Sequence, residues 1–339
     1  LCCVTVNHIL LMMLVLIVCL LLHSKLFRGP SRPKLKLTGN SLQKDPERAP
    51  KGPVEKAAEG EDDIPVVICA AEERMGSAMA TNSIYSNTDA SVFFYIVTLR
   101  DSIKQYIEKT ELKGIKYKIL EFNPMVLKGK VKPDSSRPDL LHPLNFVRFY
   151  LPLLDISHKR VIYLDDDIIV QGDIKDLYHT KLEKGHAASF ATDIVHGLPG
   201  LQETGSERPG INPSDCSFNA GVFVADIGEW KKQKITKQLE KWLANIYSSA
   251  MAGGVATPPM LIVFHDKYTI IDPLWHVRHL GEIRYGSGTQ TFLQGAHLLH
   301  WNGRFKLWDY PCVHLDRWEK WFIPDPTGKF LLVRPEGKI

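Results

Sequence analysis

The chain has little net charge, few cysteines, no internal repeat and no N-linked glycosylation acceptor. Its 42 Lys and Arg against 38 Asp and Glu leave a formal charge of +4 over 339 residues. That balance is too weak for a nucleic-acid-binding surface. Six cysteines at this length exclude a small disulfide-stapled scaffold, and the chain can bury a substantial core without cross-links. Cys2, Cys3 and Cys19 lie in an N-terminal apolar segment and Cys69 in an apolar strand candidate. Cys216 and Cys312 are then the plausible pair, which spacing alone cannot confirm. The match Asn212-Pro-Ser is blocked as a glycan acceptor by its proline. Without repeats, a solenoid is excluded. Length suits one large α/β domain plus extras. Seven Trp is a high count. Exposed Trp faces can bind sugars, but buried Trp is the commoner use.

Leu1 to Leu22 is almost wholly apolar, interrupted by Thr5, Asn7 and His8, and is long enough to span a bilayer. The bulky, basic His23-Ser-Lys-Leu-Phe-Arg28 that follows lacks a small-residue cleavage pattern, so an uncleaved signal anchor over residues 1–24 is expected. Lys25, Arg28, Arg32, Lys34 and Lys36 follow the segment and no basic residue precedes it. Taken alone, that asymmetry favours a cytoplasmic body. The expectation is nevertheless a type II protein with a luminal body. Residues 25–63 alternate prolines with charges and read as an extended, disordered stem.

The body is expected over residues 64–339. Ile64 to Ala70, Val92 to Thr98 and Tyr117 to Phe122 read as strands, with helices over Ser77 to Tyr85 and Ser102 to Leu112 between them. Such alternation predicts a doubly wound α/β sheet. Leu144 to Leu153 reads as a helix, Asn219 to Ala225 as a strand, and Ala296 to His300 as a short strand. Asp226 is placed to cap an amphipathic helix running to about Asn245, with Trp230, Leu239 and Trp242 on its inner face. Ala191 to Asp215 is rich in Gly, Pro, Ser and Thr, a long loop of the kind that carries function.

One stretch concentrates chemistry. In Arg160-Val-Ile-Tyr-Leu-Asp-Asp-Asp-Ile-Ile-Val170, three carboxylates interrupt an apolar, β-branched run that suits a buried strand of a parallel sheet. Ligands of open α/β sheets collect at the carboxyl ends of strands. Three adjacent acids beside a core demand a counter-charge, and a hard divalent cation supplies it. In extended backbone Asp165 and Asp167 share a side, so they can share an ion while Asp166 points elsewhere. A solvated turn or a helix cap is the bland alternative. An EF-hand fails because Ile169 and Val170 stand where that loop needs a polar residue and a glycine. An aspartyl-phosphate phosphatase fails at Ile169, where Thr or Val is usual. A second cluster, His300-Trp-Asn-Gly-Arg-Phe-Lys-Leu-Trp308, ends an apolar strand with an imidazole, a glycine and two cations. His300 can join Asp165 and Asp167, Gly303 lets backbone approach a phosphate, and Arg304 and Lys306 can neutralise a leaving pyrophosphate.

Leu164-Asp-Asp-Asp-Ile168, Ser217-Phe-Asn-Ala-Gly-Val222 and His300-x-x-Gly303-x-x-Lys306-x-Trp308, in this order and spacing, resemble glycosyltransferase family 8 over about Ile64 to Pro326. Asn123-Pro-Met-Val-Leu-Lys-Gly129, Leu144-Asn-Phe-Val-Arg-Phe-Tyr-Leu-Pro152 and His300-Trp-Asn-Gly303 are closest to a vertebrate branch of it. The resemblance implies a GT-A fold, a Rossmann-like mixed sheet flanked by helices, behind the anchor and stem. It implies a retaining transfer from a UDP-sugar to a glycan or glycoprotein acceptor, dependent on Mn²⁺ with Mg²⁺ as the other candidate. Asp165, Asp167 and His300 would hold the metal. Ala70 and Glu72 would line the uridine site, Arg148 and Asp166 would approach the sugar nucleotide, and Gly303 and Lys306 would hold the diphosphate. Asp193 and Asn219 would contact the donor sugar. A Golgi membrane location follows, and no nucleic-acid partner is expected.

The chain departs from the pattern in places. Glu72 and Arg74 replace the usual Asp and Asn, Lys306-Leu-Trp308 replaces Lys-Pro-Trp, and Thr257-Pro-Pro-Met-Leu261 stands where many members carry a Gln or Asp. Ala191 to Asp215 reads as shorter than in relatives. These departures leave a second reading, a catalytically silent luminal relative that binds or scaffolds.

Overall fold

Ile64–Cys69 and Val92–Thr98 are buried at every position, as strands covered on both faces must be. The computed structural model describes residues 54–55, 60–71, 75–99, 103–131, 141–192, 218–246, 256–281, 290–303, 305–308, 314–326 and 328. In chain order these form β1 (Val54–Glu55), β2 (Ile64–Cys69), α1 (Met75–Ser86), β3 (Val92–Thr98), α2 (Lys104–Glu108), β4 (Lys116–Glu121), β5 (Arg160–Leu164) and β6 (Ile168–Val170). Then come α3 (Ile174–Tyr178), β7 (Ala188–Thr192), β8 (Phe218–Asp226), α4 (Ile227–Lys232), α5 (Ile235–Ile246), α6 (Thr257–Phe264), β9 (Thr269–Ile271), α7 (Gln290–Gly295), β10 (Leu298–His300) and α8 (Leu315–Trp318). The expected anchor over residues 1–24 and the cysteines Cys216 and Cys312 lie outside the described residues. Among the described residues no helix is long and apolar enough to cross a membrane.

The main sheet has strand order β1-β4-β3-β2-β5-β8-β7-β9. β4, β3, β2 and β5 run parallel, and β8 runs antiparallel to both β5 and β7. The sheet is therefore mixed, as expected. Period-two alternation sorts its side chains. Val67, Tyr95, Tyr163 and Phe223 face a core closed by Phe146, Phe149, Trp230, Leu239 and Met260. Val66, Ile68, Phe94, Ile162 and Val224 face a core closed by Ala80 and Ile84 of α1. A smaller cluster gathers Ile169, Leu299, Trp301, Trp318 and Trp321. Trp230, Trp275, Trp301, Trp318 and Trp321 are all buried, so these tryptophans serve packing.

β5 ends at Leu164, where the three acids begin, as expected. β6 then leaves the main sheet to pair antiparallel with β10. Three expected helices are corrected in detail. Helix 102–112 breaks after Glu108, because the Thr110 side chain accepts from the Leu112 N–H and starts a new turn over Glu111–Gly114. The segment 144–153 forms two 3₁₀ turns, Pro143–Phe149 and Leu151–Leu153. Arg148 Nε takes the Asn145 carbonyl at 3.0 Å, which competes for an α-helical acceptor. Pro152 lacks the N–H a continuing helix needs. Asp226 does cap, accepting from Glu229 N at 2.8 Å, but the helix splits into α4 and α5 where Lys234 adopts φ 56°, a left-handed conformation that ends helices. The body also reaches back beyond Ile64, since β1 pairs with β4 within the span expected as stem.

β6 is pinned to α1. Ser83 Oγ accepts from Val170 N at 3.0 Å and donates to the Ala80 carbonyl at 2.8 Å. Ser83→Ala strands a buried N–H and should cost about 1–3 kcal/mol in urea unfolding. A second prediction concerns Asp63, buried and paired with Lys116 at 2.8 Å. Burial pushes its pKa up, but bonds from Lys116, Ser91 and Gly60 outweigh that and lower it. The pair therefore stabilises above the usual carboxylate range of about 4, and that contribution fades as pH falls through it. Asp63→Asn should flatten the acid limb of the stability–pH curve.

Candidate active site

The end of β5 and the start of β8 lie on one edge of the main sheet because these strands are antiparallel, with Leu164 opposite Val222. Asp165 leaves β5 there, its N–H donating to the Gly221 carbonyl at 2.8 Å. Across the small sheet His300 is opposite Ile168, and Trp301 N donates to the Asp167 carbonyl at 2.8 Å. This register brings His300 beside a carboxylate 133 residues earlier, with Nε2 2.8 Å from Asp167 Oδ1. It lies 3.9 Å from Asp165 Oδ2. One ligand atom from each of Asp165, Asp167 and His300 falls within 4.8 Å of the others.

Asp165 and Asp167 each have their own counter-charge. Arg148 holds Asp165 with two nitrogens, at 2.7 Å and 3.3 Å, and gives the Ala220 carbonyl a bond of 2.6 Å. Tyr163 donates to the same carboxylate at 3.2 Å and lies under the guanidinium. Lys306 Nζ sits 2.5 Å from Asp167 Oδ2 and 3.1 Å from the Trp301 carbonyl. Burial alone would raise the Asp167 pKa, but Lys306 and then His300 hold it well below the usual carboxylate range. Burial likewise works against the Lys306 ammonium, and Asp167 more than offsets it. Among the described residues Asp166 has no such partner. Burial, then its two acidic neighbours, push it up to about 8. Beneath Asp165, Cys69 Sγ lies 3.7 Å from the Tyr163 hydroxyl. Burial raises that thiol to about 12, so it is a packing residue.

Two carboxylates and an imidazole suit a divalent cation, and the space for an ion is kept by a glycine. A Cβ on Gly221 would stand 2.5 Å from both Asp165 Oδ2 and His300 Cε1. The three residues therefore fit a divalent cation by donor type, convergence and room. Asn219 is beside them, its Oδ1 accepting from Gly221 N at 2.8 Å. Ala70 is buried just past β2. Gly303 is half-buried, and its backbone lies close against Gly281. Arg148, expected to approach the sugar nucleotide, directs its donors to Asp165, Ala220 and Asn145. Asp193, Glu72 and Arg304 lie outside the described residues. Sequence reading missed three contributors. Gly221 was visible inside Ser217-Phe-Asn-Ala-Gly-Val222, but its value is the absence of a side chain. Tyr163 looks like any strand aromatic. His276, whose Nε2 contacts His300 Nδ1 at 2.8 Å, carries no sequence signal.

The description "Glycosyl transferase family 8" matches residues 65–312. The chain belongs to glycosyl transferase family 8. It is 53% identical over 361 residues to Glycosyltransferase 8 domain-containing protein 2 of Bos taurus, covering 98% of each chain. It is 46% identical over 305 residues to Glycosyltransferase 8 domain-containing protein 1 of Homo sapiens, covering 82% of each. The fold matches the galactosyltransferase LgtC, solved with donor and acceptor sugar analogues, at a TM-score of 0.61. That match has 17% identity and covers 80% of this chain and 98% of that one. Family 8 membership makes the chain a glycosyltransferase with a GT-A-like mixed α/β body, as the motifs led one to expect. Gly221→Ala should crowd the space between Asp165 and His300. Titration of the variant with Mn²⁺ should show affinity at least about tenfold below wild type, with an unchanged circular dichroism spectrum.

Proposed function

We propose that the protein transfers a sugar from a UDP-sugar to a glycan or glycoprotein acceptor, with retention of configuration, using Mn²⁺ or Mg²⁺ held by Asp165, Asp167 and His300. The convergence of those three residues at the sheet edge, with Lys306 alongside, carries the reading. Membership of family 8 and the donor and acceptor analogues of the LgtC structure support it.

The ion, when bound, would supply positive charge to the departing diphosphate. The chain's own residues do the rest. Lys306, displaced from Asp167, is within reach of the same region and can stabilise charge on the leaving phosphate, a contribution of about 3–4 kcal/mol for a well-aimed group. Arg148 and Tyr163 hold Asp165 in place. Asn219, whose Oδ1 accepts from Gly221 N beside the three candidate ligands, and Asp193 are assigned to the donor sugar. Ala70 and Glu72 are assigned to the uridine, and Asp166 and Gly303 to the sugar diphosphate. Retention rests on the family resemblance. We assign the protein to the Golgi membrane as a single-pass type II protein with a luminal body, on the apolar run Leu1 to Leu22 and the proline-rich stretch after it.

Calorimetry of UDP binding to the full-length protein, with and without Mn²⁺, tests the reading. Binding should require Mn²⁺ and be lost in Asp167→Ala. Equal binding by wild type and the variant would overturn the site. Metal-dependent UDP binding without turnover of any UDP-sugar would instead favour the silent relative.

A further inference from the structure

Behind the three candidate ligands, two buried histidines meet. His276 closes the turn Pro273–His276, and its Nε2 lies 2.8 Å from Nδ1 of His300. The ring planes are 17° apart and the centroids 5.1 Å apart, a geometry compatible with a hydrogen bond between the two ring nitrogens. The backbone fixes this approach from both sides. Val277 N donates to the Leu298 carbonyl at 3.0 Å, and His300 N donates to the Val277 carbonyl at 2.8 Å. The other nitrogen of His276 is buried without a partner among the described residues. A buried imidazole held by one polar contact is costly unless that contact serves a purpose.

The purpose follows from the chemistry of His300. Its Nε2 faces Asp167, an ionised carboxylate that can only accept. Nε2 is therefore placed to donate to Asp167, and Nδ1 faces His276 Nε2, where one nitrogen donates and the other accepts. To ligate a metal, Nε2 must be bare and the hydrogen must sit on Nδ1, where it needs an acceptor. His276 Nε2 is the group in reach. It can donate in one arrangement and accept in the other without moving, its own hydrogen then residing at Nδ1. We infer that His276 is a positioning residue. It locks the plane of the His300 ring and takes the Nδ1–H bond that leaves Nε2 free for the cation. This inference rests on the metal reading of Asp165, Asp167 and His300.

Three variants of the full-length protein test it, titrated with Mn²⁺ alone and followed by calorimetry. His276→Phe keeps a ring but no nitrogen, and should weaken Mn²⁺ binding about 10–100-fold. His276→Gln places an amide oxygen where Nε2 stood, and should stay within about threefold of wild type. His276→Asn is too short to reach His300 and should behave as the Phe variant does, which covers the case that Phe disturbs folding. Thermal unfolding is measured alongside. A role in packing alone predicts lowered melting temperatures with unchanged Mn²⁺ affinity in the Phe and Asn variants, and that result would overturn the inference while leaving the metal site standing. Failure of the wild type to bind Mn²⁺ would remove both.

Discussion

Three carboxylates at the end of a buried strand set the terms for this structure. Charge so close to an apolar core is tolerated only when compensated. Arg148 is drawn into two 3₁₀ turns in place of an α-helix so that its guanidinium can grip Asp165 and the Ala220 carbonyl. Lys306 folds back onto Asp167 from the loop after β10. Asp166 receives neither and carries a raised pKa. Irregular backbone around the site thus accompanies the pairing of Asp165 with Arg148 and of Asp167 with Lys306.

The same carboxylates explain the split into two sheets. Had Arg160 to Val170 continued as one strand, all three acids would have faced the packed layers on either side of the main sheet. Turning the chain after Leu164 places Asp165 at the sheet edge and lets β6 pair with β10 instead. That pairing delivers His300. Gly221 completes the arrangement by leaving out a side chain where Asp165 and His300 come together.

Much of this was legible beforehand, for identifiable reasons. β2, β3 and β4 announced themselves because runs buried on both faces have no polar periodicity to confuse with a helix. Asp165, Asp167 and His300 were readable because their chemistry makes them conspicuous after apolar strands. The breaks at Thr110, Pro152 and Lys234 were less so. Each depends on a local competition, a side-chain cap, a missing N–H or a left-handed residue, that amphipathic spacing does not encode. The antiparallel exit of β6 was hidden because β-branched residues suit a strand in either sheet. His276 was invisible because its role depends on where another imidazole lies, 24 residues on.

The pairing of β6 with β10 also has a bearing on biosynthesis. The central strands and α1 involve residues up to about 226, and their packing can begin while the remainder is still being made. The candidate cation site cannot. It needs His300 and then Lys306, which lie well downstream of those strands in the chain. A nascent chain therefore carries its acidic cluster with Arg148 as the available compensation until β10 and the loop after it have been made, and Asp167 gains His300 and Lys306 only then.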